Sequence, residues 1–148
     1  MKTFNQYFES NSEREIVKDF KNLVAYFIKE NEKYLDKTTL AYDFSEIEDK
    51  FGNLHASIKS PTLTLNQDQM YLEYYDELLN SRKNMINDVD GFLSKFYNKF
   101  ELIPFVNIEE TNDKGTLVFI TIEQAELESN KELINFLKSD KTINKYKL

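Results

Sequence analysis

The chain carries one histidine, His55, which is the first candidate for acid–base chemistry. It alternates with Leu54 and Ala56 in a strand-like run, on the polar side with Ser57 and Lys59. A catalytic histidine needs a nucleophile or an orienting acid close in space, and one strand supplies neither. We therefore expect His55 to be a solvent-facing strand residue. A single histidine also excludes metal sites built from a pair of histidines.

Carboxylates are plentiful, with 26 Asp and Glu against 19 Lys and Arg and a net charge of -7. A metal-dependent hydrolase needs several of them to converge. Glu48, Asp49 and Lys50 follow the order of a nuclease E-x-K motif, but the apolar middle residue of that motif is missing. Asp88 and Asp90, two residues apart, do not share a helix face. We predict no metal site and no catalytic residues, and keep a carboxylate- and metal-dependent hydrolase as the alternative function.

Scarce glycine and absent cysteine exclude further classes of site. Gly52, Gly91 and Gly115 lie too far apart for a phosphate-binding loop or a dinucleotide fingerprint. Without cysteine there is no disulfide, thiolate metal site or cysteine nucleophile. We therefore expect no cofactor. The acidic charge and the presence of only two arginines, Arg14 and Arg82, disfavour direct binding of DNA or RNA.

Residues 109–128 concentrate negative charge around a single basic residue, Lys114. Such charges can simply protect a solvated sheet edge from aggregation. The functional interpretation is a surface that attracts and orients a basic partner protein. The acids predicted to contact the partner are Glu109, Glu110, Asp113, Glu123, Glu126 and Glu128.

Tyrosines and leucines crowd residues 70–79, where apolar side chains cover more of a helical wheel than one buried face requires. A central helix packed on two sides would explain this pattern. The functional interpretation is an exposed tyrosine patch with an acidic rim, because tyrosine is favoured at protein interfaces. The residues assigned to this patch are Tyr71, Tyr74, Tyr75 and Asp76.

Two long amphipathic helices are predicted to position these residues. Behind a capping box at 12–15, apolar residues recur at helical spacing through Leu35, which indicates about six turns. The pattern over 67–99 predicts a second long helix, with a break at 80–81 left open. Gly91 inside it indicates a bend or a close helix contact.

Two shorter helices are predicted from their start signals. A capping box at 45–48 predicts a short helix that ends near Gly52. Another box at 129–132, with Ser129 as the cap, begins a helix that continues to about Lys138. The basic tail at 141–148 is expected to fray.

Three strands complete the prediction. Alternation predicts one strand over 54–59, and the strands 102–110 and 116–124 form a hairpin around a turn at 112–115. Pro104 cannot donate a ladder hydrogen bond, so its strand belongs at an edge of the sheet.

The segment 117–120 is apolar at every position, so both of its faces need cover. One face can be covered by a partner or by a second copy of the chain. This leaves open a homodimer, and with it a structural or regulatory role as a homo-oligomer.

Together these patterns predict one α+β domain over 1–148, mostly helical, with a small antiparallel sheet that includes a hairpin at about 102–124 and packs against the long amphipathic helices. The first ten residues lack a signal-peptide pattern and no apolar run is long enough for a membrane helix, so we expect a cytoplasmic protein. The predicted function is a small acidic, non-enzymatic protein-binding module. It would be an inhibitor of the immunity or phage anti-defence type that blocks a basic, nucleic-acid-binding surface of its partner.

Overall fold

The computed structural model describes residues 14–35, 40–60, 72–111, 115–140 and 142–143. Within them the chain forms helices and one four-stranded antiparallel sheet, which confirms the predicted α+β fold. The helices are α1 Glu15–Glu30, α2 Leu72–Phe100, α3 Gln124–Ser129 and α4 Lys131–Ser139. The strands are β1 Ala41–Asp43, β2 Asn53–Ser60, β3 Phe105–Thr111 and β4 Gly115–Glu123.

The sheet has the strand order β1-β2-β4-β3, so the two longest strands lie in its centre. In the β2–β4 pair, Leu54 lies opposite Ile122 and Ile58 opposite Val118. The predicted hairpin is confirmed as the pair β3–β4. β3 is an edge strand that begins directly after Pro104, as the missing proline N–H requires.

One face of the sheet, which we call the inner face, forms the core with the helices. Period-two alternation brings the apolar residues of β2 and β4 to this face. Helix α1 is packed on several sides, because Leu23, Val24 and Ala25 are all buried although consecutive residues point about 100° apart. The buried inner-face side chains are Leu54, Ala56, Ile58, Thr116, Val118, Ile120 and Ile122.

An aromatic cluster joins α1, α2 and α4. The ring centroids of contacting pairs lie between 5.0 and 6.4 Å apart, a normal range for edge-to-face and tilted pairs. The high aromatic content therefore serves the core at these positions. The rings belong to Tyr26, Phe92, Phe96, Phe100 and Phe136.

Helix α2 is continuous, so the break left open at 80–81 does not occur. The predicted start at 67–71 lies outside the described residues. A Cβ added at Gly91 would meet nothing within 4 Å, so the suggested close helix contact at this glycine is wrong. No helix in the described ranges is long and apolar enough to cross a membrane.

Helix α1 is shorter than predicted. It begins at Glu15, and the extended Arg14 takes the N-cap position without a side-chain hydrogen bond, so the predicted cap at Ser12 is wrong. At the other end, the Asn31 side chain donates to the Phe27 carbonyl at 2.8 Å. The same carbonyl already accepts the Asn31 backbone N–H at 3.1 Å, so the side chain adds a second hydrogen bond at the end of the helix, before Leu35.

The predicted helix after 45–48 is wrong, because this segment forms turns between β1 and β2. Asp49 Oδ1 accepts from the backbone N–H groups of Phe51 and Asn53 at 2.8 and 2.9 Å. An aspartate that binds nearby amides in this way competes with helical hydrogen bonds. Gly52, with φ at 83°, adopts the left-handed conformation that completes the reversal into β2.

The C-terminal region differs from prediction in three details. The short helix α3 follows β4 directly, and only Leu127 in it is buried, which is too little apolar pattern to detect in sequence. The cap of α4 is Asn130, whose side chain accepts from the Leu133 N–H, and not Ser129. Ile143 is buried, so the tail is packed at this point; residues 144–148 lie outside the described ranges.

Candidate functional site

The opposite side of the sheet, which we call the outer face, has no buried side chain among its described residues. It differs in this respect from the inner face, which the helices cover. Such a face is available to a ligand or a partner. Its side chains are Ala41, Asp43, Asn53, His55, Ser57, Lys59, Phe105, Asn107, Glu109, Leu117, Phe119, Thr121 and Glu123, as the register of the four strands requires.

Apolar side chains lie in the middle and on the β3 side of the outer face. Phe105 is 67% exposed, while Phe119 and Leu117 on the central strand β4 are half-buried. Among the described residues, the predicted cover of 117–120 is present on the inner side only. Exposed aromatic area flanked by polar residues is typical of protein interaction sites.

Asp49, His55 and Thr121 form a hydrogen-bonded chain across the outer face. His55 Nε2 lies 2.7 Å from Asp49 Oδ2, and His55 Nδ1 lies 3.0 Å from Thr121 Oγ1. The β2–β4 register places His55 directly opposite Thr121, and the turn at Gly52 brings Asp49 back beside them. His55 lies on the polar side of its strand as predicted, but both of its ring nitrogens have protein partners.

The charge of Asp49 determines which atoms of this chain donate a proton and which accept one. Backbone N–H donation from Asn53, followed by the hydrogen bond from His55, holds the pKa of Asp49 well below its ordinary range. An ionised carboxylate only accepts, so His55 donates through Nε2. In the neutral imidazole Nδ1 then accepts, and the Thr121 hydroxyl is its donor.

A cavity of about 380 Å³ opens beside this chain, between β1 and the central strands. We call it the outer-face cavity. Two carboxylates, several hydroxyls and one aromatic ring contribute to its walls. The lining residues used below are Asp43, Glu46, His55, Ser57, Phe119 and Thr121.

The order of hydroxyl, imidazole and carboxylate is also that of a catalytic nucleophile, base and orienting acid. Acyl transfer further requires donors for an oxyanion. Thr121 lies on a strand paired on both sides, so its neighbouring backbone N–H groups are engaged in the ladders. The carboxylates of Asp43 and Glu46 would also oppose a developing negative charge. The geometry therefore supports a positioning role for the chain better than a catalytic one.

The acids predicted to form one patch are divided by the fold. Glu109 and Glu123 are exposed on the outer face, but Glu109 pairs with Leu117 and Glu123 with Asn53. Positions 117 and 123 are separated by about 20 Å along β4, at a rise of roughly 3.3 Å per residue. The two acids thus flank the apolar centre of the face from opposite ends.

Two further predicted acids, Glu126 and Glu128, are exposed on α3. Glu126 lines a different cavity, of about 470 Å³, together with Tyr97 and Ile103. Because α3 contacts α1 and α4, these acids belong to the helical side of the molecule. They are near Glu123 in sequence but not part of the outer face.

The remaining predicted residues cannot be placed as contact residues. Tyr71 and Asp113 lie outside the described residues. Tyr74, Tyr75 and Asp76 belong to α2, and Glu110 belongs to β3. The side chains of these four residues lie outside the described part of the structure.

No three His, Asp or Glu side chains within the described ranges gather in a way that could hold a metal ion. Sequence reasoning missed the Asp49–His55–Thr121 chain because Asp49 lies in a turn and the other two lie on strands separated by α2. The only signal was that His55 and Thr121 both occupy outward positions. No protein-family model, curated protein or solved structure matches this chain.

Proposed function

We propose that the protein is a small acidic, non-enzymatic binding module that inhibits a partner by covering a basic surface of it. The outer face of the sheet, rather than the whole acidic segment 109–128, is the contact surface. The partner class is a cytoplasmic protein whose basic surface binds nucleic acid, as expected for immunity or phage anti-defence inhibitors.

One observation carries this proposal: the outer face combines exposed apolar side chains with acids at both ends. Phe105 and Phe119 supply apolar area, and Glu109 and Glu123 lie on either side of them. No described cation forms an ion pair with either acid. Interfaces gain affinity from a desolvated aromatic centre and gain orientation and association rate from the surrounding charges.

Capture from the native host tests the proposal with a matched pair of charge reversals. Tagged full-length chain, Glu109→Lys/Glu123→Lys and Glu126→Lys/Glu128→Lys are compared at about 50 and about 300 mM salt, since surface charges are screened more strongly at the higher ionic strength. Both variants carry the same change in net charge. We expect wild type and the α3 variant to retain one basic protein at low salt, and the outer-face variant to lose it.

Affinity for the captured protein is then measured by titration calorimetry. The outer-face variant should bind at least about tenfold more weakly, about 1.4 kcal/mol, with a flatter dependence on salt. Equal losses in both variants would mean that net charge, and not the outer face, governs binding. Recovery of the bait alone, or of a second copy of the chain, would overturn the proposal.

A further inference from the structure

The outer-face cavity has carboxylates, hydroxyls and an aromatic ring in its walls, and it is distinct from the flanking acids Glu109 and Glu123. We propose that it receives an arginine side chain of the partner, an inference that rests on the proposed function. The occupant is a guanidinium group held between carboxylates, an aromatic ring and hydroxyl oxygens.

Charge is the first argument. Asp43 and Glu46 line the cavity and form no ion pair with a described cation. The Ser45 side chain, followed by the Ser45 N–H that donates to Asp43 at 2.8 Å, lowers the pKa of Asp43, so this carboxylate is ionised at neutral pH. Lys59, a cation that β2 places on this face, is a diagonal neighbour of Asp43 in the register but forms no ion pair with a described acid. The cavity therefore offers a cationic group negative charge that no described cation pairs with.

Shape distinguishes arginine from lysine. Phe119 lies on β4 opposite Ser57, and Asp43 lies opposite Ser57 on the other side, so the register places a ring and a carboxylate on either side of the same β2 position. A planar guanidinium can stack on a ring while its N–H fork binds a carboxylate at its edge. A lysine ammonium has no plane to stack and is more strongly hydrated.

The Asp49–His55–Thr121 chain supplies the third argument. Because ionised Asp49 makes His55 donate through Nε2, Nδ1 accepts when the imidazole is neutral, and Thr121 then directs its proton to Nδ1. The lone pairs of Thr121 Oγ1 are then available to a donor in the cavity. Guanidinium is a donor with no acceptor atom, so the chain fixes Thr121 in the state that such a ligand needs. Asp49 and His55 are positioning residues for this contact.

The test uses the full-length ¹⁵N-labelled chain and two probes, N-acetyl-arginine amide and N-acetyl-lysine amide, titrated by NMR. We expect saturable shifts at the amides of Ser57, Phe119 and Thr121, with arginine bound at least about threefold more tightly than lysine. Asp43→Asn/Glu46→Gln should weaken arginine binding about tenfold, the scale of losing charge-assisted hydrogen bonds. Glu126→Gln/Glu128→Gln, which removes the same charge elsewhere, should leave it unchanged.

Thr121 provides a second, less disruptive readout. Thr121→Val removes the acceptor at nearly constant shape and should weaken arginine binding, whereas Thr121→Ser should retain it. Equal titration by both probes, shifts located away from the cavity, or equal effects of the cavity and α3 variants would each overturn the inference.

Binding of the captured partner separates this inference from the proposed function. If Asp43→Asn/Glu46→Gln binds the partner like wild type while Glu109→Lys/Glu123→Lys does not, the arginine inference fails and the proposed function stands. If wild type captures no basic protein, the proposed function fails and the partner arginine fails with it, whatever the small probes show.

Discussion

The two faces of the sheet use the same strands for different purposes. On β4, Ile120 points to the inner face and is 1% exposed, while its neighbour Phe119 points to the outer face and is half-buried. Both lie in one continuous apolar run, so composition alone does not separate them. The difference between the faces is what covers them: helices on one side, and no described element on the other. An apolar strand can therefore serve stability through one face and recognition through the other.

The largest effect that would test this comparison is on stability. Ile120→Ala should lower the free energy of unfolding by about 2–5 kcal/mol, because it leaves a cavity in a packed core. Phe119→Ala removes a larger side chain, but from a face that no described element covers. It should therefore lower the free energy of unfolding by under about 1 kcal/mol, as substitutions outside a packed core usually do. Urea unfolding followed by circular dichroism measures both.

Partner affinity should rank the same two variants in the opposite order. Phe119→Ala is expected to weaken the complex more than Ile120→Ala does under conditions where both are folded. Similar losses of stability for the two variants would mean that the outer face is covered in the folded protein, and the comparison would fail.

Two aspartates repeat the contrast on a smaller scale. Asp49, beside the outer face, has both oxygens bonded and a lowered pKa. Asp19, on α1, is 4% exposed, and its Oδ1 has no hydrogen-bond partner although Lys138 Nζ lies 4.0 Å away. Burial raises the pKa of Asp19, against the opposing effect of Lys138. The sheet side stabilises a carboxylate, while the helical side penalises one.

Loss of the Asp49 carboxylate should have an effect on stability between that of Ile120→Ala and that of the Asp19 variant described below. A lowered folded-state pKa gives stability above the unfolded value of 3.8, which is lost as the pH falls through and below that value. Asp49→Ala should therefore lower the melting temperature by several degrees at pH 7, and the difference from wild type should shrink towards pH 2. Thermal unfolding across this range measures it. Asp90→Asn, an exposed change on α2, is the control and should change little at either pH.

The smallest effect is expected at Asp19, with the opposite sign. A raised folded-state pKa means that stability is present below the unfolded value of 3.8 and is lost as the pH rises through the folded value. Asp19→Asn should therefore raise the melting temperature slightly at pH 7 and match wild type near pH 3. Thermal unfolding between these pH values tests this directly. Glu15→Gln is an instructive partner variant, because its bond to Lys138 lowers the pKa of Glu15 and its loss should be mildly destabilising at pH 7.

The sequence predicted the elements whose periodicity is strong. Strand β2, the hairpin, and helices α1, α2 and α4 each bury apolar side chains in the core, and that burial selects apolar residues at a fixed spacing. Strand β1 and helix α3 are too short for a periodic signal. The prediction of a helix near Asp49 is wrong because it rests on a serine followed three residues later by glutamate. This pattern occurs in helix capping boxes and also in turns.

The candidate site was only partly predictable, because its parts are joined by tertiary contacts. The sequence identified Glu109 and Glu123 and the apolar character of 117–120, all of which are local patterns. It grouped Glu126 and Glu128 with them, since separation along the chain does not reveal on which layer each acid lies. The pairing of His55 with Thr121 depends on the β2–β4 register, which no local pattern encodes.

That register has a consequence for the order in which the protein is made. The central strands of the sheet, β2 and β4, are joined through α2 and β3, so Leu54 is synthesised well before its neighbour Ile122. Until β4 leaves the ribosome, the three-residue β1 is the only described strand that can pair with β2, and the other edge of β2 has no described partner. Contacts of such large sequence separation slow folding and leave strand edges exposed on the way. The period before residue 123 is released is thus when the nascent chain is most exposed to aggregation, and when a chaperone would have most to protect.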